Sequence, residues 1–160
     1  MTAAGQILIW GAAVCAVVGV NAFDRRNPDA LGVSLMILMM WCAQIILQSL
    51  FTPPASMQLD SIMDLVAGLV VVAAWWTRRS AWKLATAVLF LVMILNHAAF
   101  WLSPRGEDAF LWYLKLRNTL FALQLLCVAG PGVRHVGDRV AGALSPWLRR
   151  HIGHVPHQGS

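Results

Sequence analysis

Charge is the first thing this 160-residue sequence runs short of: Asp, Glu, Lys and Arg make up 12% of it, against about 25% in a soluble domain. A chain so poor in charge has too little polar surface to clothe a water-soluble globule. Cysteine is limited to Cys15, Cys42 and Cys127, all inside apolar stretches. Their odd number and lack of metal-like spacing make them read as small buried hydrophobes. Also missing are a phosphate-binding Gly-rich loop, HExxH, Gly-x-Ser-x-Gly and CxxC. With no nucleophile–base pair visible, no catalytic residue is assigned, and the expectation is a non-enzymatic protein without a cofactor. No internal repeat is evident, and an odd number of spans argues against a duplicated transporter.

What the chain has in abundance is apolar sequence, 59% of its residues, delivered in blocks of roughly 17–22 residues that match a hydrocarbon core of about 30 Å. The blocks run about Gly5–Ala22, Leu31–Phe51, Leu59–Trp76, Ala81–Leu102 and Asp108–Gly130. The breaks between them are turn and proline signals: Asn27-Pro28-Asp29, Thr52-Pro53-Pro54, Thr77-Arg78-Arg79-Ser80, Ser103-Pro104-Arg105-Gly106 and Gly130-Pro131-Gly132. The first block lacks a basic leader, so it reads as a membrane helix and not as a signal peptide. The predicted fold is therefore all-α: a polytopic integral membrane bundle of five transmembrane helices over residues 1–132, in which short connections make sequential helices antiparallel neighbours. Residues 133–160 form a cytoplasmic basic tail.

The basic residues predict the orientation. Five spans put Arg25, Arg26, Arg78, Arg79, Lys83, Arg134, Arg139, Arg149 and Arg150 on one side and only Arg105 in the loops of the other. Because cytoplasmic loops collect Lys and Arg, the expectation is N-out/C-in, in a bacterial cytoplasmic (inner) membrane. Trp75, Trp76 and Trp82 then flank the inner connection, while Trp101, Trp112 and Tyr113 flank the outer one, as interfacial belts do. Trp41 sits midway along its block and reads as a packing residue. Gly11 and Gly19 offer a close-packing face on the first block. In the tail, Val133, Val136, Val140, Leu144, Trp147 and Leu148 recur at helical steps, with the arginines off that stripe and Pro146 expected to divide it. Such a segment is expected to lie on the lipid surface, with Arg134, Arg139, Trp147, Arg149 and Arg150 meeting anionic headgroups. Nucleic acid is not an expected partner: the basic residues lack aromatic interleaving in a soluble segment. His151, His154 and His157 belong to a disordered terminus and not to a metal site.

The informative feature is a layer of polar residues at matching depth in the outer half. Gln44 and Gln48 lie in block two, Asp60 and Asp64 in block three, Asn96 and His97 in block four, and Lys115, Arg117 and Asn118 in block five. Such groups cost several kcal/mol in hydrocarbon unless they pair or face water, so they should converge on the bundle interior. Asp64 is expected to pair with Lys115 or Arg117, and Ser61-x-x-Asp64 fits a capping box. Carboxylate and imidazole are suitable metal ligands, but the spacing carries no signature and no metal is assigned. The layer reads as an ion or small-solute pathway, or as a structural ion-pair network. Two rival readings are a holin-like, lysis-associated permeabiliser and an accessory subunit of a larger membrane complex; homo-oligomers fit any of them.

Overall fold

A computed structural model describes residues 3–24, 26–51, 55–103 and 106–152, with side chains given for 5–144 of these. The chain is all-helical: α1 (Ala3–Ala22), α2 (Pro28–Leu50), α3 (Ala55–Thr77), α4 (Ala81–Leu102) and α5 (Glu107–Ile152). All five helices are long and apolar enough to span a membrane. α1 to α4 hold 20, 23, 23 and 22 residues, or about 30–35 Å at 1.5 Å per residue. Sequential helices pack on one another, and α5 also packs on α1 and α2, which closes the bundle. The upper end of the bundle is the one where α2 stops and α3 starts.

Local chemistry sets the helix limits. α2 opens with Pro28 in its first turn, where the missing N–H is no loss. It closes at Phe51, whose extended backbone still donates to Leu47 O at 2.8 Å, ahead of the tandem prolines. Each helix buries one stripe. On α3 this is Ser56, Asp60, Asp64, Ala67, Gly68 and Val71; on α4 it is Lys83, Thr86, Ala87, Phe90, Met93 and His97. Both stripes follow the three- and four-residue steps of a single helix face. The α3 stripe is polar in its upper part and apolar below, whereas the α4 stripe is polar at both ends and apolar between. Small residues allow close approach: a Cβ on Gly68 would lie 3.1 Å from Phe90 Cβ. The apolar middle joins Val14, Val33, Ile37, Val71, Phe90 and Val128 into one cluster.

Four expectations change here. First, α5 does not stop at Gly130-Pro131-Gly132, and Pro146 does not divide it: the helix runs 46 residues, about 69 Å. Pro131 removes one backbone donor, yet this turn is held from outside. Asn21 Nδ2 donates to Val128 O at 3.0 Å, and Gly132 packs so close to α1 that a Cβ would lie 2.6 Å from Asn21 Oδ1. Neighbouring helices commonly support a membrane-depth proline in this way. The segment after Gly132 is thus an extension of α5 and not a separate tail helix. It carries exposed Val133, Val136, Val140 and Leu144. Second, Ser61 is no helix cap. α3 begins at Ala55, and the Ser61 hydroxyl donates to Met57 O at 2.9 Å. Third, Cys15 and Cys42 face outward from the bundle and Cys127 is half-buried, so two of the three are not core residues. Fourth, a Cβ on Gly19 would meet nothing within 4 Å, whereas one on Gly11 would lie 2.8 Å from the Trp41 ring; of the two glycines only Gly11 provides a close-packing face, and Trp41 is the packing residue it receives. Arg25, Arg105, His154 and His157 lie outside the described residues, and the side chains of Trp147, Arg149, Arg150 and His151 lie outside the described side chains.

Candidate functional site: a polar chamber in the upper half

Two braces cross the upper half of the bundle. Asp60 on α3 is 1% exposed, and its Oδ2 accepts from Arg117 Nη2 on α5 at 3.0 Å and from Gln48 Nε2 on α2 at 3.4 Å. One turn further down α3, Asp64 Oδ2 lies 2.8 Å from His97 Nε2 on α4. The other ring nitrogen, Nδ1, is 2.8 Å from the Tyr113 hydroxyl on α5. A carboxylate only accepts, so His97 donates from Nε2; in the neutral ring Nδ1 then accepts from Tyr113. Tyr113 itself stacks on Phe100 at 4.5 Å between ring centres, and Asn96 Nδ2 donates to its carbonyl at 3.4 Å. Three helices are tied by the His97 chain and three by Asp60.

The structure brings part of the layer together: Asp60, Asp64 and His97 are buried and Gln44, Asn96 and Arg117 half-buried, whereas Gln48, Lys115 and Asn118 are exposed, and the pairing differs from the sequence expectation. Asp64 binds His97, and it is Asp60 that binds Arg117. Lys115 reaches neither aspartate: its Nζ lies 5.7 Å from the centre of the Trp112 ring. The reason is helical phase. Lys115 and Arg117 are two residues apart and point about 200° apart on α5, so only Arg117 faces α3.

Beside the braces lies a chamber of about 450 Å³. Gln6 and Trp10 of α1, Trp41, Gln44 and Gln48 of α2, and Lys115, Arg117 and Asn118 of α5 contribute to its upper walls. Below them Ile37, Met40, Phe90, Met93 and Phe121 line it, and Asp64 reaches it from behind. Phe121 and Trp10 meet edge to face at 5.2 Å, which fixes one wall. Gln124 lies deepest on α5. It is 2% exposed, and its Nε2 has no hydrogen-bond partner. Beneath it the apolar cluster plugs the bundle. All nine residues of the expected layer thus belong to the braces, the Asn96 bond or the chamber wall.

Sequence reasoning missed Tyr113 as more than a belt aromatic, and it missed Gln124 altogether. The available signal for Gln124 was spacing: it lies seven residues after Arg117, hence on the same face of α5. It also missed a second polar collar at the lower end. Lys83, 1% exposed, donates to Asp29 Oδ2 at 2.6 Å, Ala74 O at 3.0 Å and Arg78 O at 3.1 Å. Lys83 is therefore a buried anchor and not a free loop charge. Among the described residues no three His, Cys, Asp or Glu side chains come together as a metal site.

The chain matches no family model, no characterised protein and no solved structure.

Proposed function

We propose that the protein is a small integral membrane protein that binds a small solute in the upper chamber, with that end on the non-cytoplasmic face. The observation that carries this reading is the coincidence of the chamber with the two braces. A volume of about 450 Å³ falls in the range of small-molecule sites, roughly 300–1,000 Å³. The braces fix the helices around it, and the donor of Gln124 is left unspent at its floor. The apolar plug below favours a closed chamber over an open pore through one copy, and so favours a binding or carrier role over permeabilisation. The excess of Lys and Arg at the lower end supports the N-out/C-in orientation, with the basic face of α5 at anionic lipid.

Site-directed labelling tests both parts. The three native cysteines are replaced by alanine, and single cysteines are placed at Asn118 on the chamber wall, at Leu126 on the exposed side of α5, and at Arg134 on the lower extension. In intact cells a membrane-impermeant maleimide is expected to label position 118 and to spare 126 and 134. Labelling of 134 in place of 118 would invert the orientation. Labelling of neither would remove the water-accessible chamber.

A further inference from the structure

The chamber has different chemistry at its two ends, and that difference defines what fits it. Its floor presents one donor, the Gln124 amide nitrogen, which is buried and unpartnered. An alkyl tail would leave this N–H unsatisfied, so the leading end of a ligand carries an acceptor such as a carbonyl oxygen. The middle is walled by Trp10, Trp41 and Phe121 with methionines between them, which suits a flat apolar body. The upper part contains two cations of unlike availability. Arg117 is already neutralised by Asp60 at 3.0 Å. Lys115 lines the chamber and, among the described residues, pairs with no carboxylate. Lys115 stands nine residues before Gln124, a rise of about 13 Å along α5, and its exposed ammonium lies towards the upper mouth, 5.7 Å from the centre of the Trp112 ring.

We infer that the ligand is a flat, apolar-bodied organic anion, with a carbonyl-type acceptor at the end that meets Gln124 and a carboxylate or similar anion at the end that meets Lys115. The inference rests on the solute-chamber reading and adds to it the class of solute. Asp64, the one acidic residue of the chamber lining, is held by His97 at 2.8 Å; a hydrogen bond from a neutral imidazole leaves a carboxylate's charge in place, which directs an anion away from Asp64 and towards Lys115.

The test uses the full chain in lipid nanodiscs and three probes measured by equilibrium dialysis. These are 6-acetyl-2-naphthoate, 6-isopropyl-2-naphthoate, which lacks the acceptor, and 2-acetylnaphthalene, which lacks the acid. The first is expected to bind about 5–10-fold more tightly than either analogue, the size of one hydrogen bond or one charge contact. Gln124→Leu is expected to erase its advantage over the isopropyl analogue only, and Lys115→Met its advantage over 2-acetylnaphthalene only. Gln124→Leu also removes an unsatisfied buried donor, so the variant should be folded and melt about 3 °C higher while binding less well. Met40→Trp, which fills the chamber, is expected to abolish binding of all three probes. If the three bind equally, or if their ranking ignores Gln124→Leu and Lys115→Met, the ligand class is wrong although the chamber stands. If Met40→Trp leaves binding of every probe unchanged, the chamber reading itself falls.

Discussion

Removing Arg117 tests whether the upper brace holds the bundle together. In the native protein the Asp60 carboxylate is 1% exposed, and only one of its oxygens is engaged, by Arg117 at 3.0 Å and Gln48 at 3.4 Å. The other oxygen has no partner. Arg117→Met leaves this carboxylate buried without a counter-charge and one turn from Asp64. Breaking a buried pair in this way costs about 3–5 kcal/mol. The reverse deletion, Asp60→Asn, is milder. The Arg117 side chain is 17% exposed, so its guanidinium leans towards the chamber water, at a cost of about 1–2 kcal/mol. The double variant keeps an amide for Gln48 and leaves no unpaired charge, so it should fall within about 1 kcal/mol of wild type. For a chain of this length each kcal/mol moves the melting temperature by about 2–4 °C. Arg117→Met should therefore melt roughly 6–20 °C lower, and the double variant within about 4 °C of the parent. The assay is the fraction that remains monodisperse after heating in mild detergent. A double variant as unstable as Arg117→Met would refute the pairing, as would an Arg117→Met protein no weaker than Leu126→Ala on the exposed side of α5.

At the lower collar the asymmetry reverses. Asp29→Asn strands the ammonium of Lys83 and should cost about 3–5 kcal/mol, whereas Lys83→Met leaves an aspartate that is already 33% exposed and should cost about 1–3 kcal/mol; equal losses in thermal unfolding would contradict the burial assigned to Lys83. Gly132→Ala drives a methyl group into Val20 and Asn21 and should destabilise by about 1–3 kcal/mol. Gly130→Ala, two residues away in open space, should instead gain up to about 1 kcal/mol from helix propensity; thermal shifts of the same sign at both positions would argue against the close crossing of α1 and α5. Tyr113→Phe keeps the ring stacked on Phe100 and loses one hydrogen bond to His97, about 1 kcal/mol, while Tyr113→Ala should lose about 3–5 kcal/mol. Unfolding curves that show Tyr113→Phe as damaging as Tyr113→Ala would assign most of the contribution to the hydroxyl and not to the packing.

The five helices were legible because bilayer-length apolar runs and proline breaks are local signals, and α1 to α4 end within a few residues of the expected limits. The end of α5 was not, because Pro131 and its flanking glycines are a strong local stop that only a non-local contact overrides. Asn21, from the far end of α1, supplies that contact. The polar layer was legible for an equally general reason: amide and charged groups at one depth have to meet away from lipid. Which group met which was not, because a pairing depends on helix rotation. A difference of two residues decides that Arg117 faces Asp60 while Lys115 turns to Trp112. The lower collar was hidden by its own residues. Lys83 and Asp29 sit where loops carry charge, and counting Lys83 as a topology marker concealed its burial beneath α3.

Why the polar contacts between helices gather towards the two ends of the bundle follows from what can hold apolar helices in register on the proposed membrane reading. Lipid tails are as apolar as valine, so the cluster around Val71 and Val128 packs well but discriminates weakly between one register and the next. The polar contacts discriminate. Asn21 joins α1 to the first turn of α2 and to α5. Lys83 joins α4 to α2 and α3. His97 joins α4 to α3 and α5, and Asp60 joins α3 to α2 and α5. Sliding any one helix by a turn breaks at least one of these contacts at a buried site, at several kcal/mol. Register is thus fixed from both ends, and the middle needs only to fill space. At the upper end the braces join α3, α4 and α5 and take in α2 only through Gln48. The chamber opens on the α1–α2–α5 side, beside Trp10, Trp41 and Phe121.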